Sequence, residues 1–127
     1  MDFVKLLFNK NLGTYSYENA SNIEMSNLSF FLTDDVGCSK EDSFKGFILD
    51  NRFSYTSSNA TFLEKEDGYI LLSSLHAEDL DNPIEFKIPI KMFIKLLDDW
   101  QEKVCKLKPK EVIIKYENDE FIFETKE

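Results

Sequence analysis

His76 is the only histidine, the one side-chain type that titrates near neutrality without help from its surroundings. It stands in Leu75-His76-Ala77-Glu78-Asp79-Leu80-Asp81, beside three carboxylates that could ligate a divalent cation or act as a general base. A small metal-dependent hydrolase using His76 with Glu78 or Asp81 is therefore one reading. The spacing argues against it. Neither His-Glu-x-x-His nor the EF-hand loop fits, and transition-metal sites usually draw on more than one imidazole or thiolate. Cysteine offers no better route: Cys38 lies among Asp34, Asp35, Glu41 and Asp42, whose charges disfavour a thiolate. Cys105 borders an apolar helical stripe, where a thiol packs as a small hydrophobe. The four glycines, at 13, 37, 46 and 68, form no phosphate-cradling pattern. Adjacent acids such as Asp98-Asp99 point about 100° apart on a helix rather than across a cleft. No cofactor, metal or catalytic set is expected, and the chain is read as a non-enzyme.

Charge is the stronger signal. The net charge is -9, which opposes binding to phosphate backbones and to anionic membrane surfaces and favours a cationic protein partner. The excess is local: residues 1–60 carry -3, residues 61–86 carry -6, and residues 87–127 are neutral. It comes chiefly from Glu64, Glu66 and Asp67 and from Glu78, Asp79 and Asp81, with Asp34/Asp35 and Glu41/Asp42 as lesser clusters. These six acids are the candidate partner-binding residues, although charge runs are commonly nothing more than solvated turns.

The elements that must position them follow from periodicity and turn chemistry. At 127 residues the chain fits one domain, residues 1–127. No disulfide framework is expected from two cysteines, one in a loop and one in a helix, so a reducing cytoplasm is the expected location. No export signal is read at MDFVKLLFNKNLG. Phe3 to Phe8 suits a short helix or a first strand, and is read as a helix. Leu28, Phe30 and Leu32 alternate with Ser29, Phe31 and Thr33, which predicts a half-buried strand. GFILD and RFSYTS are taken as a hairpin about Asp50-Asn51. The clearest hairpin is ATFLEKEDGYILLSSL, because Asp67-Gly68 suits a primed turn in which both central residues need positive φ. PIEFKI gives a further strand, and Pro89 opens a helix.

On a helical wheel Ile90, Phe93, Ile94, Leu97, Trp100, Val104 and Leu107 form one stripe, with Leu96 and Cys105 at its margins. Trp100 on that stripe is read as core rather than as an interface anchor. Met92 falls on the charged face, and an assembly or adaptor domain using that face or an open sheet edge is a third reading. Pro109 closes the helix. EVIIKY and EFIFE then make a closing hairpin around Asn118-Asp119. The expected fold is α+β, a mainly antiparallel sheet with one long amphipathic helix, residues 89–107, packed on one face, and a C-terminal β-hairpin.

The segment from Phe86 to Glu124, FKIPIKMFIKLLDDWQEKVCKLKPKEVIIKYENDEFIFE, runs strand, Ile-Pro, a Phe-Ile-x-Leu-Leu-x-x-Trp helix, a Lys-Pro-Lys exit and a hairpin with Asp-Glu before its last strand. In that order it resembles small immunity proteins of bacterial polymorphic toxin and contact-dependent growth inhibition systems, over about the last third of the chain. The resemblance implies a cytoplasmic protein without catalysis of its own, which binds and neutralises a cognate toxin domain, often a basic nuclease. It assigns no contact residues and no oligomeric state.

Overall fold

A computed structural model describes residues 2–76 and 83–127. The chain opens with strands β1 (Asp2–Asn9) and β2 (Thr14–Ala20), so Phe3 to Phe8 is extended rather than helical. Its pattern explains why: Val4 and Leu6 are fully buried while Leu7 is exposed, a period of two that six residues barely display. Helix α1 (Ile23–Phe30) continues as a π-helical stretch, Phe31–Val36, and here the predicted strand is overturned. Asn22 caps the helix, its side chain accepting from the Met25 amide at 2.9 Å. The buried set Met25, Leu28, Phe31, Leu32, Val36 is spaced by three and four, and Phe31, assigned to the polar side by the alternation, is fully buried. Helix α2 (Glu41–Leu49) takes in GFIL, so the predicted hairpin about Asp50-Asn51 is instead a helix leading to the short strand β3 (Tyr55–Ser57).

From there the expectations and the structure converge. Strands β4 (Thr61–Glu66) and β5 (Tyr69–Ser74) form the hairpin, with Asp67 and Gly68 at φ 50° and 84°. Strand β6 (Phe86–Pro89) leads into α3 (Ile90–Asp99), which runs on as a second π-helical stretch, Trp100–Cys105. Strands β7 (Glu111–Glu117) and β8 (Glu120–Lys126) close the chain around Asn118 and Asp119, both at positive φ.

The α+β class stands, but the sheet does not. The described residues form two antiparallel sheets, β2-β1-β7-β8 and β3-β4-β5-β6, hereafter the terminal sheet and the central sheet. Nor is there one long helix on one face: α1 and α3 each touch both sheets, and the α3 helix turns π-helical at Trp100. Within this layer Phe31 meets Phe44 of α2 and Phe93 of α3, with ring centres 4.9 and 5.4 Å apart. Each such fully buried ring contributes about 1.5–3 kcal/mol relative to exposure. Because α3 is covered from several sides, Leu96 is as buried as Leu97, and Met92 packs partly buried against the core rather than standing on a free charged face. Leu107, placed on the stripe, is 66% exposed because the helix has already ended. Trp100 is 1% exposed, as a core residue should be.

Two polar ties hold the central sheet to the helices. The buried Asp35 carboxylate accepts from the Ala60 amide at 2.9 Å and from the Thr61 hydroxyl. Lys65 Nζ donates to the Phe47 and Asp50 carbonyls, each at 2.8 Å, closing the end of α2 while resting 4.6 Å from the Phe47 ring centre. A third clamp was not expected: Cys38 and Cys105 form a disulfide across 67 residues. The two thiols lay in a loop and a helix, and only the fold brings their Cα atoms to 5.6 Å. Among the described residues no helix is long and apolar enough to cross a membrane.

Candidate functional site

Antiparallel register sorts the central sheet into two faces. Leu63, Ile70, Leu72, Phe86 and Ile88 point into the core. The cross-strand rows Tyr55-Glu64-Leu71-Lys87, Ser57-Phe62-Ser73 and Glu66-Tyr69-Pro89 therefore share the outward face. Leu71 sits near its middle at 8% exposure, flanked by Glu64 and Lys87. Tyr55 and Phe62 stack beside it, centres 5.7 Å apart and planes within 27°. Tyr69 carries Lys87 Nζ over its ring at 4.4 Å. At the edge the β4–β5 turn presents Glu66 and Asp67, both exposed. Glu64 joins Glu85, Phe62, Ser73 and Leu75 around a shallow recess of about 320 Å³. The face thus interleaves aromatic rings with charge: Glu64 and Lys87 flank Leu71 in its middle row, and Glu66 and Asp67 stand at its turn end.

The carboxylates of this face are unspent. Among the described residues none of Glu64, Glu66, Asp67 and Glu85 lies in an ion pair, and Lys87 is engaged with a ring instead. Lys65, the only cation on β4, points inward to the α2 carbonyls.

Of the six acids picked out by charge, Glu64, Glu66 and Asp67 thus stand together on one sheet face. Glu78, Asp79 and Asp81 lie outside the described residues. The lesser clusters are dispersed: Asp35 is buried as a structural tie, Glu41 pairs with Lys45 at 2.7 Å, and Asp34 opens onto a different recess. The aromatic partners Tyr55, Phe62 and Tyr69 were missed. Their signal was available, since the Asp67-Gly68 turn fixes the register and puts Phe62, Glu64 and Glu66 on the side opposite Leu63.

His76 is exposed just beyond β5, its amide donating to Ser74 Oγ at 3.0 Å. It shares a recess of about 430 Å³ with Asn27, Asp34, Thr61 and Ser74. Among the described residues no group of three or more His, Cys, Asp or Glu side chains could hold a metal ion. The carboxylates that a hydrolase reading needs, Glu78 and Asp81, lie outside those residues. Cys38, considered as a nucleophile, is consumed in the disulfide.

Comparison of the chain with protein-family models, with curated proteins and with solved structures finds no match.

Proposed function

We propose that this chain is a binding protein that captures a cationic protein domain on the outward face of the central sheet, in the manner of an immunity protein neutralising a cognate toxin. The observation that carries this reading is the set of carboxylates, without an ion pair among the described residues, that stand among and beside the aromatic rings of this face. Unpaired acids on one face project a field outward, and such fields raise association rates by roughly 10–10³-fold for a partner of opposite sign. The aromatic residues supply what charge alone does not: Tyr55, Phe62 and Tyr69 offer large rings at low conformational cost, and their faces accept Lys or Arg heads. The Glu64–Glu85 recess accommodates such a head between two carboxylates. Inhibition then consists of occupying the surface with which a basic toxin, such as a nuclease, would engage phosphates. No catalysis by this chain is involved.

The proposed location is the cytoplasm, where a nuclease toxin would act. The Cys38–Cys105 disulfide sets a condition on it, because such bonds persist mainly in oxidising compartments. The complex must therefore also form with the cysteines reduced. Met92 packs partly buried against the core, so the assembly reading now rests on an open sheet edge rather than on a free Met92 face.

The test is co-expression with the product of the adjacent open reading frame, followed by purification and light scattering. A 1:1 complex that dissociates as salt is raised is expected. No complex with any basic neighbouring product, under oxidising or reducing conditions, would overturn the reading.

A further inference from the structure

A second concave site lies away from the acidic face, where the two π-helical stretches end side by side. It is a pocket of about 120 Å³ lined by Tyr15, Trp100, Val104, the Cys38–Cys105 disulfide and Lys108. π-Helical turns inside α-helices are rare and concentrate at functional sites. Here one contributes Thr33 and leads to Gly37, while the other contributes Trp100, Val104 and Cys105.

The pocket's chemistry is selective. Three of its polar wall groups are already engaged within the protein: Trp100 Nε1 donates to Gly37 O at 2.8 Å, Thr33 Oγ1 to Ser29 O at 2.9 Å, and the Tyr15 hydroxyl to Pro109 O. What remains is apolar surface, ring edges and the hydroxyl of the exposed Thr14. Tyr15 meets Phe8 at 5.1 Å and Trp100 at 6.0 Å between centres, both tilted or edge-on. The pocket is smaller than the dry cavity of about 150 Å³ that encloses benzene, but it is open on one side, so a ring enters with its substituted edge at the mouth.

At the mouth stands Lys108, which has no carboxylate within ion-pair distance among the described residues, although the chain is strongly acidic. Its φ of 49° occupies the left-handed position that ends a helix, where glycine is the favoured residue. Its amide closes the helix by donating to Val104 O at 2.9 Å. Glycine would suit this φ better, and lysine in its place brings a cationic residue to the pocket lining. The opposing charge is Glu127, whose carboxylate bears on the Tyr15 hydroxyl.

We propose that this pocket binds a small planar ring bearing a carboxylate, with the ring between Tyr15, Trp100 and Val104 and the carboxylate against Lys108. The site is independent of the acidic face.

The experiment titrates the oxidised full chain with benzoate, benzyl alcohol and benzylamine, which share a ring and differ in charge. Fluorescence of Trp100, the sole tryptophan, reports occupancy. Benzoate is expected to saturate and to bind about tenfold more tightly than benzylamine, the equivalent of one charge-assisted hydrogen bond. Lys108→Gly relieves the positive φ, and is expected to keep benzyl alcohol binding while erasing the preference for benzoate. Val104→Phe fills the pocket and should abolish all three responses. Absence of saturation by any of the three probes, equal affinity for benzoate and benzylamine, or a preference that survives Lys108→Gly would each overturn the proposal.

Discussion

The two four-stranded sheets turn outward faces of different electrostatics. On the terminal sheet, Lys5 pairs with Glu111 at 2.9 Å, Lys126 approaches the same carboxylate at 3.8 Å, and Lys115 pairs with Glu124. The Lys5 hydrogen bond holds the Glu111 carboxyl below the usual range, and Lys5 is raised in turn. Lys5, Lys115 and Lys126 are thus each paired where they stand, and among the carboxylates of that face left without an ion pair among the described residues are Glu117 and Glu120, opposite each other beside the β7–β8 turn. On the central sheet the sole strand lysine that could pair with Glu64 or Glu66 is turned inward, and the outward lysine covers a ring. Sequence charge alone does not distinguish the faces. What separates them is which side of a strand each lysine occupies, so a field directed outward arises from register rather than composition.

The largest expected effect concerns the layer that holds both faces. Closing a 67-residue loop stabilises the fold by about 4 kcal/mol in the chain-entropy account. Urea denaturation of a Cys38→Ser variant should show a loss of that order, while the affinity for a cationic partner stays within about twofold, because the pocket that the disulfide lines shares no residue with the acidic recess. Loss of binding with reduction would mean that the face depends on the clamp.

Next comes the face itself. Glu64→Lys, Glu66→Lys and Asp67→Lys combined should weaken partner binding by roughly a hundredfold at low salt, equivalent to about 2.7 kcal/mol, with unfolding stability nearly unchanged. Reversing Glu111, Glu124 and Lys115 on the terminal sheet should leave affinity unaltered. Equal effects from the two faces would erase the distinction between them.

A smaller loss is expected at Asp35. Asp35→Ala strands the Ala60 amide and the Thr61 hydroxyl in a buried setting, at about 1–3 kcal/mol, and measures how firmly the central sheet is fixed to α1. Smaller still is the alkaline limb. Burial, aided by the Glu127 charge, pushes the Tyr15 hydroxyl up to about 12, and Tyr116 is raised in the same direction, by burial and by the Asp119 hydrogen bond. Between about pH 10 and 12 the unfolded chain releases the Tyr15 proton while the folded chain keeps it. Stability is therefore complete below that window and falls as pH rises through it. A Tyr15→Phe variant should show a shallower decline in denaturant midpoint.

The legible parts of the fold were those where one turn or one proline fixes the register. Asp67-Gly68, Pro89 and Asn118-Asp119 placed β4–β5, the start of α3 and β7–β8. The first half lacked such marks. Leu28, Phe30 and Leu32 satisfy a period of two as readily as Leu28–Leu32 satisfies one of four, and only the Asn22 cap, four residues before Ser26, favoured the helix. The second sheet was invisible because β1 pairs with β7, more than a hundred residues away, and no local pattern encodes that pairing. The disulfide was missed for the same reason. Half of the candidate site was legible from charge, in Glu64, Glu66 and Asp67. Its aromatic half emerged only when antiparallel register set Tyr55 and Tyr69 beside them.

The central claim is that uncompensated carboxylates on the central sheet attract a basic protein. It is tested most directly by the association rate between this chain and the product of its neighbouring open reading frame, measured from about 0.1 M to about 1 M salt, over which the screening length falls from about 10 Å to about 3 Å. The account predicts a steep fall in rate for the native chain and a nearly flat line for the variant reversed at Glu64, Glu66 and Asp67. A native rate indifferent to salt, or the same slope in both proteins, would contradict it.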